Sequence, residues 1–273
     1  MTRAPAVALA AILSSSCGAS LMRLPQGPGA AATDAREALT DATVACHAVT
    51  TMTADIAVTG SVNGQRVRAR LFAGLAAPDA ARLEAVALGQ PFFILVAHSG
   101  AATLLLQRDN RVLEQGPPDA VLEAATGLPV DPSALRALVT GCTTAPDWRE
   151  TRALGDDWRV LPDAASTVYL HRPVRHARWR VAAVAHRDST GAEWRVEYRD
   201  YVNGDGLPRD IRLRSSDAKR FDLHLRLSQI ETNATLDPRT FHVQVPASAE
   251  RMTLKQLQDG RPFGGVSSRD DGR

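Results

Sequence analysis

The chain has 273 residues, of which 44% are hydrophobic and 23% are charged, so it is long enough to bury a sizeable core. Its formal net charge at pH 7 is only +2, because acidic residues are interspersed among the basic ones. Such a balanced surface lacks the concentrated basic patch by which proteins bind nucleic acids. We therefore expect no nucleic-acid partner.

The N-terminus has the layout of a bacterial export signal. Arg3 precedes an apolar run at residues 4–13, and small residues follow up to Cys17. A cysteine at the cleavage point is typical of a lipoprotein, in which the thiol takes a diacylglycerol. The usual motif has Leu three residues before the cysteine, where this chain has Ser14, so two alternatives stay open: ordinary secretion with cleavage near Ala19, and an uncleaved apolar N-terminus. The apolar run is shorter than the ~20 residues that span a bilayer, so we expect lipid on Cys17 to be the anchor.

Composition divides the chain into four predicted segments. Residues 1–17 form the signal peptide, which ends at the lipidation cysteine. Residues 18–33 form a flexible tether, since much of this stretch consists of Pro, Gly and Ala. Residues 34–258 form the folded domain, and residues 259–273, which are rich in Gly, Ser and Asp, form a disordered tail.

Two cysteines, Cys46 and Cys142, remain if Cys17 is acylated. Outside the cytoplasm an even number of cysteines favours a disulfide. Two buried free thiols are the alternative that the sequence leaves open.

Helices are predicted where apolar residues recur every three or four positions. The first covers residues 34–50, and a short one near residues 254–257 closes the fold. Between them, residues 118–126 and 132–140 each begin with proline and are followed by glycine. Proline at the start and glycine just past the end are typical of helix termini.

Most of the remaining chain alternates between apolar and charged residues, which predicts strands with one apolar and one charged face. The predicted strands cover residues 55–59, 66–71, 82–88, 92–98, 102–107, 178–183, 193–199, 210–214, 221–227 and 241–245. Asn63-Gly64 marks a tight hairpin. We therefore predict a mainly β fold with a single curled antiparallel sheet, an incomplete β-barrel of about ten or eleven strands, and a few helices that lid its concave face.

The order of elements resembles the LolA/LolB-like superfamily of periplasmic lipoprotein carriers and receptors. The resemblance covers residues 34–257 and is carried by residues 46–71, 82–106, 194–208 and 237–254. The last of these stretches contains the closing pattern Phe-x-Val-x-x-Pro, here from Phe241 to Pro246. An anchoring cysteine makes the chain more similar to the LolB receptor than to the soluble LolA carrier.

The resemblance implies an apolar cavity that holds acyl chains, without catalytic residues, cofactor or metal. LolB-like members take lipoproteins from a carrier and insert them into the outer membrane with an apolar loop tip, for which Phe92 and Phe93 are the best match here. The candidate cavity residues are Ile56, Val58, Val67, Leu71, Leu104, Leu106, Val121, Leu122, Leu135, Leu138, Trp179, Val181, Trp194, Val196, Tyr198, Ile211, Leu213, Leu223 and Leu225.

We therefore expect a lipoprotein of the bacterial cell envelope, anchored at the periplasmic side of the membrane, in particular the outer membrane. Its expected partners are acyl chains of lipids or lipoproteins, the membrane, and a periplasmic carrier protein. We expect no enzymatic activity. The alternative is a structural or interaction lipoprotein with a filled core, which binds a protein partner through its outer face.

Overall fold

The structure is a computed structural model that describes residues 21–87, 89–143, 148, 150–187, 191–202, 204–217 and 219–260. Cys17 and the predicted signal peptide lie outside these residues.

The described elements are four α-helices, one 3-10 turn and fifteen strands. The helices are α1 (Ala35–His47), α2 (Pro118–Thr126), α3 (Pro132–Thr140) and α4 (Leu254–Gly260), and the 3-10 turn covers Pro238–Phe241. The strands are β1 (Ala30–Ala31), β2 (Thr51–Val62), β3 (Gln65–Ala76), β4 (Ala80–Ala87), β5 (Gln90–His98), β6 (Ala101–Leu106), β7 (Arg111–Gly116), β8 (Arg152–Leu154), β9 (Trp158–Pro162), β10 (Ser166–His171), β11 (Arg180–Arg187), β12 (Glu193–Arg199), β13 (Asp210–Ser215), β14 (Phe221–Thr232) and β15 (Glu250–Arg251).

All fifteen strands belong to one curled sheet. Their order is β1-β8-β9-β10-β11-β12-β13-β14-β2-β3-β4-β5-β6-β7-β15. Every neighbouring pair is antiparallel except β7 and β15, which are parallel. Within the described chain β1 and β15 are the two edges and do not pair, so the sheet is an incomplete barrel. The predicted fold class is confirmed.

The predicted strand count of ten or eleven was too low. In β9 Arg159 is buried on the same face as Leu161, so this strand lacks the alternation of apolar and charged faces that identifies a strand with one exposed face. In β7 the alternation is interrupted by a register shift in its pairing with β6. The strands β1, β8 and β15 have only two or three residues each, which is too short to show a period.

The strand predicted at residues 241–245 was wrong. The 3-10 turn ends at Phe241, and the chain then crosses the outer face of β4 and β5 without pairing. Phe241 and the partly buried Val243 pack there with Ala80 and Val96. Alternate side chains are buried as they are in a strand, but β4 and β5 already pair on both sides, so no backbone partner is free.

The two short central helices match their predicted ends. Gly127 and Gly141 follow them with φ of 77° and 68°, the left-handed conformation that glycine adopts without strain. A side chain at Gly127 would also collide with Val62, since an added Cβ would lie 2.4 Å from a methyl carbon of that residue.

The helices cover the apolar face of the sheet. Helix α1 packs on β9, β10 and β11, α2 on β5 and β6, α3 on β3 and β4, and α4 on α2. Inward side chains such as Phe93, Leu104 and Leu213 have no exposed surface. One continuous core results, which includes residues of all four helices.

Part of the predicted tether lies against the outer face of the sheet. The backbone N–H of Met22 donates to both carboxylate oxygens of Glu197, at 2.8 and 3.0 Å. Glu197 is fully buried and also forms ion pairs with Arg195 and Arg199. Further along, Ala30 and Ala31 form β1, which pairs with β8.

A disulfide joins Cys46 in α1 to Cys142, two residues after α3, with the two Cα atoms 5.4 Å apart. The sequence left open a disulfide or two buried free thiols, and the structure contains the disulfide. It fixes the C-terminal end of α3 to α1 across 96 residues of sequence.

We expect the double variant Cys46→Ala/Cys142→Ala to lose about 2–4 kcal/mol of unfolding free energy, because the bridge closes a long loop of the unfolded chain. Equilibrium unfolding in urea measures this loss. Cys17→Ala is the matched control, because it removes a cysteine without touching the bridge. Equal stability of the double variant and this control would contradict the expectation.

Candidate functional site

A small apolar pocket lies between α3 and the sheet, and we call it the inner pocket. Its volume is about 50 Å³. On one side the pocket is lined by residues of β14, β2, β3 and β4. The opposite wall is formed by α3, by Thr126 at the end of α2 and by Leu128, which follows Gly127. The polar side chain in this lining is Thr126, whose hydroxyl donates to the carbonyl of Leu122 at 2.7 Å. The pocket therefore offers ligands an almost purely aliphatic surface.

Seven of the predicted cavity residues line the inner pocket: Ile56, Val58, Val67, Leu71, Leu135, Leu223 and Leu225. The sequence analysis missed the other lining residues, which are Val62, Ala73, Leu75, Leu83, Thr126, Leu128 and Val139. Several of them continue a pattern already recognised. Leu75 is two positions beyond Ala73 on the inward face of β3, and Val139 lies one helical turn after Leu135.

A second, larger cavity lies on the other side of α3, and we call it the lateral cavity. Its volume is about 740 Å³, within the range of 300–1,000 Å³ typical of small-molecule sites. Its walls come from α3 and the residues before it, from the end of α1 with the disulfide, and from β10, β11 and β12. Four predicted residues line it: Leu138, Trp194, Val196 and Tyr198.

The lateral cavity contains polar groups that the sequence analysis did not select. His186 stacks on Trp194 with ring centroids 4.1 Å apart, and burial lowers the pKa of His186 to about 4, so its imidazole is neutral at pH 7. Burial raises the pKa of Tyr198, which keeps this phenol protonated. Arg136, on α3, contributes a positive charge.

The remaining predicted cavity residues form closed packing in the core and line neither space: Leu104, Leu106, Val121, Leu122, Trp179, Val181, Ile211 and Leu213. Trp179 shows why an inward aromatic residue need not face a cavity. Its ring lies under the guanidinium groups of Arg159 and Arg172, at 4.8 and 4.4 Å from the ring centroid.

The predicted membrane tip at Phe92 and Phe93 requires correction. Phe93 has no exposed surface and belongs to the main core. Phe92 is partly buried against the same core, with its ring centroid 5.9 Å from that of Phe93. Phe93 points inward because it continues the inward series of β5 with Leu95 and Ala97, so it cannot present an apolar tip to a membrane.

Within the described residues, no group of three or more His, Cys, Asp or Glu side chains could hold a metal ion. None of the described helices is long and apolar enough to cross a membrane.

No protein-family model matches the chain, and no curated protein sequence does. Solved structures do match. The LolA superfamily protein NE2245 of Nitrosomonas europaea aligns with a TM-score of 0.56 and 11% identity, over 78% of this chain and 99% of that one. A putative outer membrane lipoprotein-sorting protein domain of Vibrio parahaemolyticus aligns with a TM-score of 0.49 and 13% identity, over 76% and 97%. Lipoprotein LppX of Mycobacterium tuberculosis aligns with a TM-score of 0.33 and 11% identity, over 74% and 97%. The order of strands and helices and the similarity to NE2245 together show that this chain has the LolA/LolB-like fold.

Proposed function

We propose that this chain is a lipid-anchored envelope lipoprotein that binds acyl chains of lipids or lipoproteins inside its curled sheet. The observation that carries the proposal is the aliphatic lining of the inner pocket, whose residues come from four strands, α3 and the end of α2. An acyl chain gains about 0.8 kcal/mol for each methylene removed from water. A carrier of such chains therefore needs an apolar surface away from water, and the lining of this pocket is apolar.

Binding of a whole acyl chain requires that the inner pocket enlarge. Its present volume of about 50 Å³ is far below that of ordinary ligand sites. Helix α3 is the movable wall in this proposal, because Leu135 and Val139 close the pocket against the sheet. The disulfide holds the C-terminal end of α3, so we place the opening at its N-terminal end.

We propose that lipid on Cys17 holds the protein at the periplasmic side of the outer membrane, where it receives cargo from a periplasmic carrier. The fold that it shares with NE2245, a LolA superfamily protein, supports this role. The cargo would move between two apolar environments, so transfer needs no covalent chemistry, and we propose that the protein is not an enzyme.

One observation favours the alternative, an interaction lipoprotein with a filled core. The inner pocket is nearly closed, and most of the inward side chains are packed in a single core. In that case the outer face would bind a protein partner. Binding of an acyl probe separates the two functions, because a filled core would take up none.

We expect Ala73→Phe to weaken binding of a fluorescent acyl probe at least about tenfold, because the ring fills the inner pocket that Ala73 lines. Overpacking should also lower the unfolding free energy by about 1–3 kcal/mol. Fluorescence titration measures the first effect and urea unfolding the second.

The matched control is Ala57→Phe, the same substitution at an exposed position of β2, and it should bind the probe as the unmodified chain does. A folded Ala73→Phe variant with unchanged probe affinity would exclude the inner pocket as the binding site.

A second prediction concerns the anchor. We expect Cys17→Ala to move the protein from the membrane fraction to the soluble fraction, because the diacylglycerol can no longer be attached. Fractionation of cells and incorporation of radiolabelled fatty acid measure this. Unchanged membrane association, without label in the unmodified protein, would refute lipidation.

A further inference from the structure

We propose that the lateral cavity binds the anionic head of an acyl amphiphile, with the Arg136 guanidinium as its cationic partner. The inference rests on the proposed function and adds to it the chemical class of the ligand. Acyl chains alone could enter any aliphatic pocket, whereas a paired cation selects chains that end in a carboxylate or a phosphate.

Arg136 lines the lateral cavity from α3 with most of its hydrogen-bonding capacity unused. One of its terminal nitrogens, Nη1, donates to the carbonyl of Val49 at 3.0 Å. Its Nε is buried and makes no hydrogen bond in the described chain. No ion pair among the described residues involves Arg136. A guanidinium has five N–H donors, so an oxyanion could be bound by the free donors of its two terminal nitrogens.

Two of the neighbouring ionisable groups carry no charge at pH 7, and two others have local partners. His186 is neutral at pH 7, because burial lowers its pKa to about 4, and burial likewise keeps Tyr198 protonated. The carboxylate of Asp131 accepts from the N–H of Ala134 at 2.7 Å and so caps the N-terminus of α3. His47 lies at the disulfide end of the cavity, with its Nδ1 3.8 Å from the Cys142 sulfur.

The rest of the lateral cavity suits the chain of such a ligand. Trp194, Val184 and Val196 form an apolar wall on the sheet, and Leu138 faces them from α3. The same helix closes the inner pocket with Leu135 and Val139. A head bound at Arg136 would therefore place its chain beside the helix that must move for the inner pocket to open.

Carboxylates and phosphates share the planar or forked oxygen geometry that arginine binds through two parallel hydrogen bonds. The inference covers both, and the experiment separates them. The probes are palmitate, palmitoyl lysophosphatidate, methyl palmitate and inorganic phosphate. The protein is the chain with Cys17→Ala, which needs no detergent.

We expect the two anionic amphiphiles to bind at least about tenfold tighter than methyl palmitate, since the ester has no charge with which the guanidinium could form a charge-assisted hydrogen bond. Whichever of the two binds tighter identifies the head group. Arg136→Gln should abolish this preference. Arg136→Lys should retain part of it, and Arg108→Gln, at an exposed turn residue, should retain all of it.

Each other outcome is decisive. If the unmodified site binds acid and ester with equal affinity, the anionic head site is wrong but acyl-chain binding remains. If none of the lipids binds, both the head site and the proposed acyl-chain binding are wrong. Competition by inorganic phosphate as strong as that of the lysophosphatidate would show a free-anion site and also overturn it. If Arg136→Gln does not fold, the comparison of acid with ester in the Cys17→Ala protein still tests the inference. A preference for the acid that is lost at high salt would show that it depends on charge.

Discussion

The apolar face of one wide sheet, whose described edges do not pair, must be covered. This requirement determines the rest of the structure. The fifteen described strands form a single layer with one apolar face, and such a face must pack against another layer. The described residues supply four helices for this task, two of them with nine residues each. Helix α1 covers one half of the sheet, and α2 and α3 cover the other. The lateral cavity lies between the end of α1 and α3, and the inner pocket lies between α3 and the sheet.

Helix α3 has a different environment on each side. Leu135 and Val139 face the inner pocket, whereas Arg136 and Leu138 face the lateral cavity. Its C-terminal end is held to α1 by the disulfide, whereas the Asp131 cap at its N-terminal end is a local hydrogen bond to Ala134 of the same helix. The opening that we propose is therefore a tilt of α3 about its C-terminal end.

The sequence predicted those strands in which apolar and charged residues alternate along the chain. Strands β12, β13 and β14 alternate cleanly and were found, and Asn63-Gly64 adopts the positive φ angles of a tight hairpin. Strand β9 was missed because Arg159, buried against Asp34, interrupts the period. Of the site, the sequence predicted half of the residues that line the inner pocket, but not Arg136 or His186. Only their position beside a cavity distinguishes these two residues from surface residues, and that position depends on long-range packing.

Native mass spectrometry tests whether the sheet encloses acyl chains. The chain from residue 21 onward would be exported to a bacterial periplasm, purified without detergent and measured before and after solvent extraction. This account predicts a bound mass that extraction releases and that resolves to an acylated molecule, a phospholipid or an acylated peptide. A single mass of the protein alone, which stays unchanged after incubation with added lipid, would contradict the account and favour the interaction lipoprotein with a filled core.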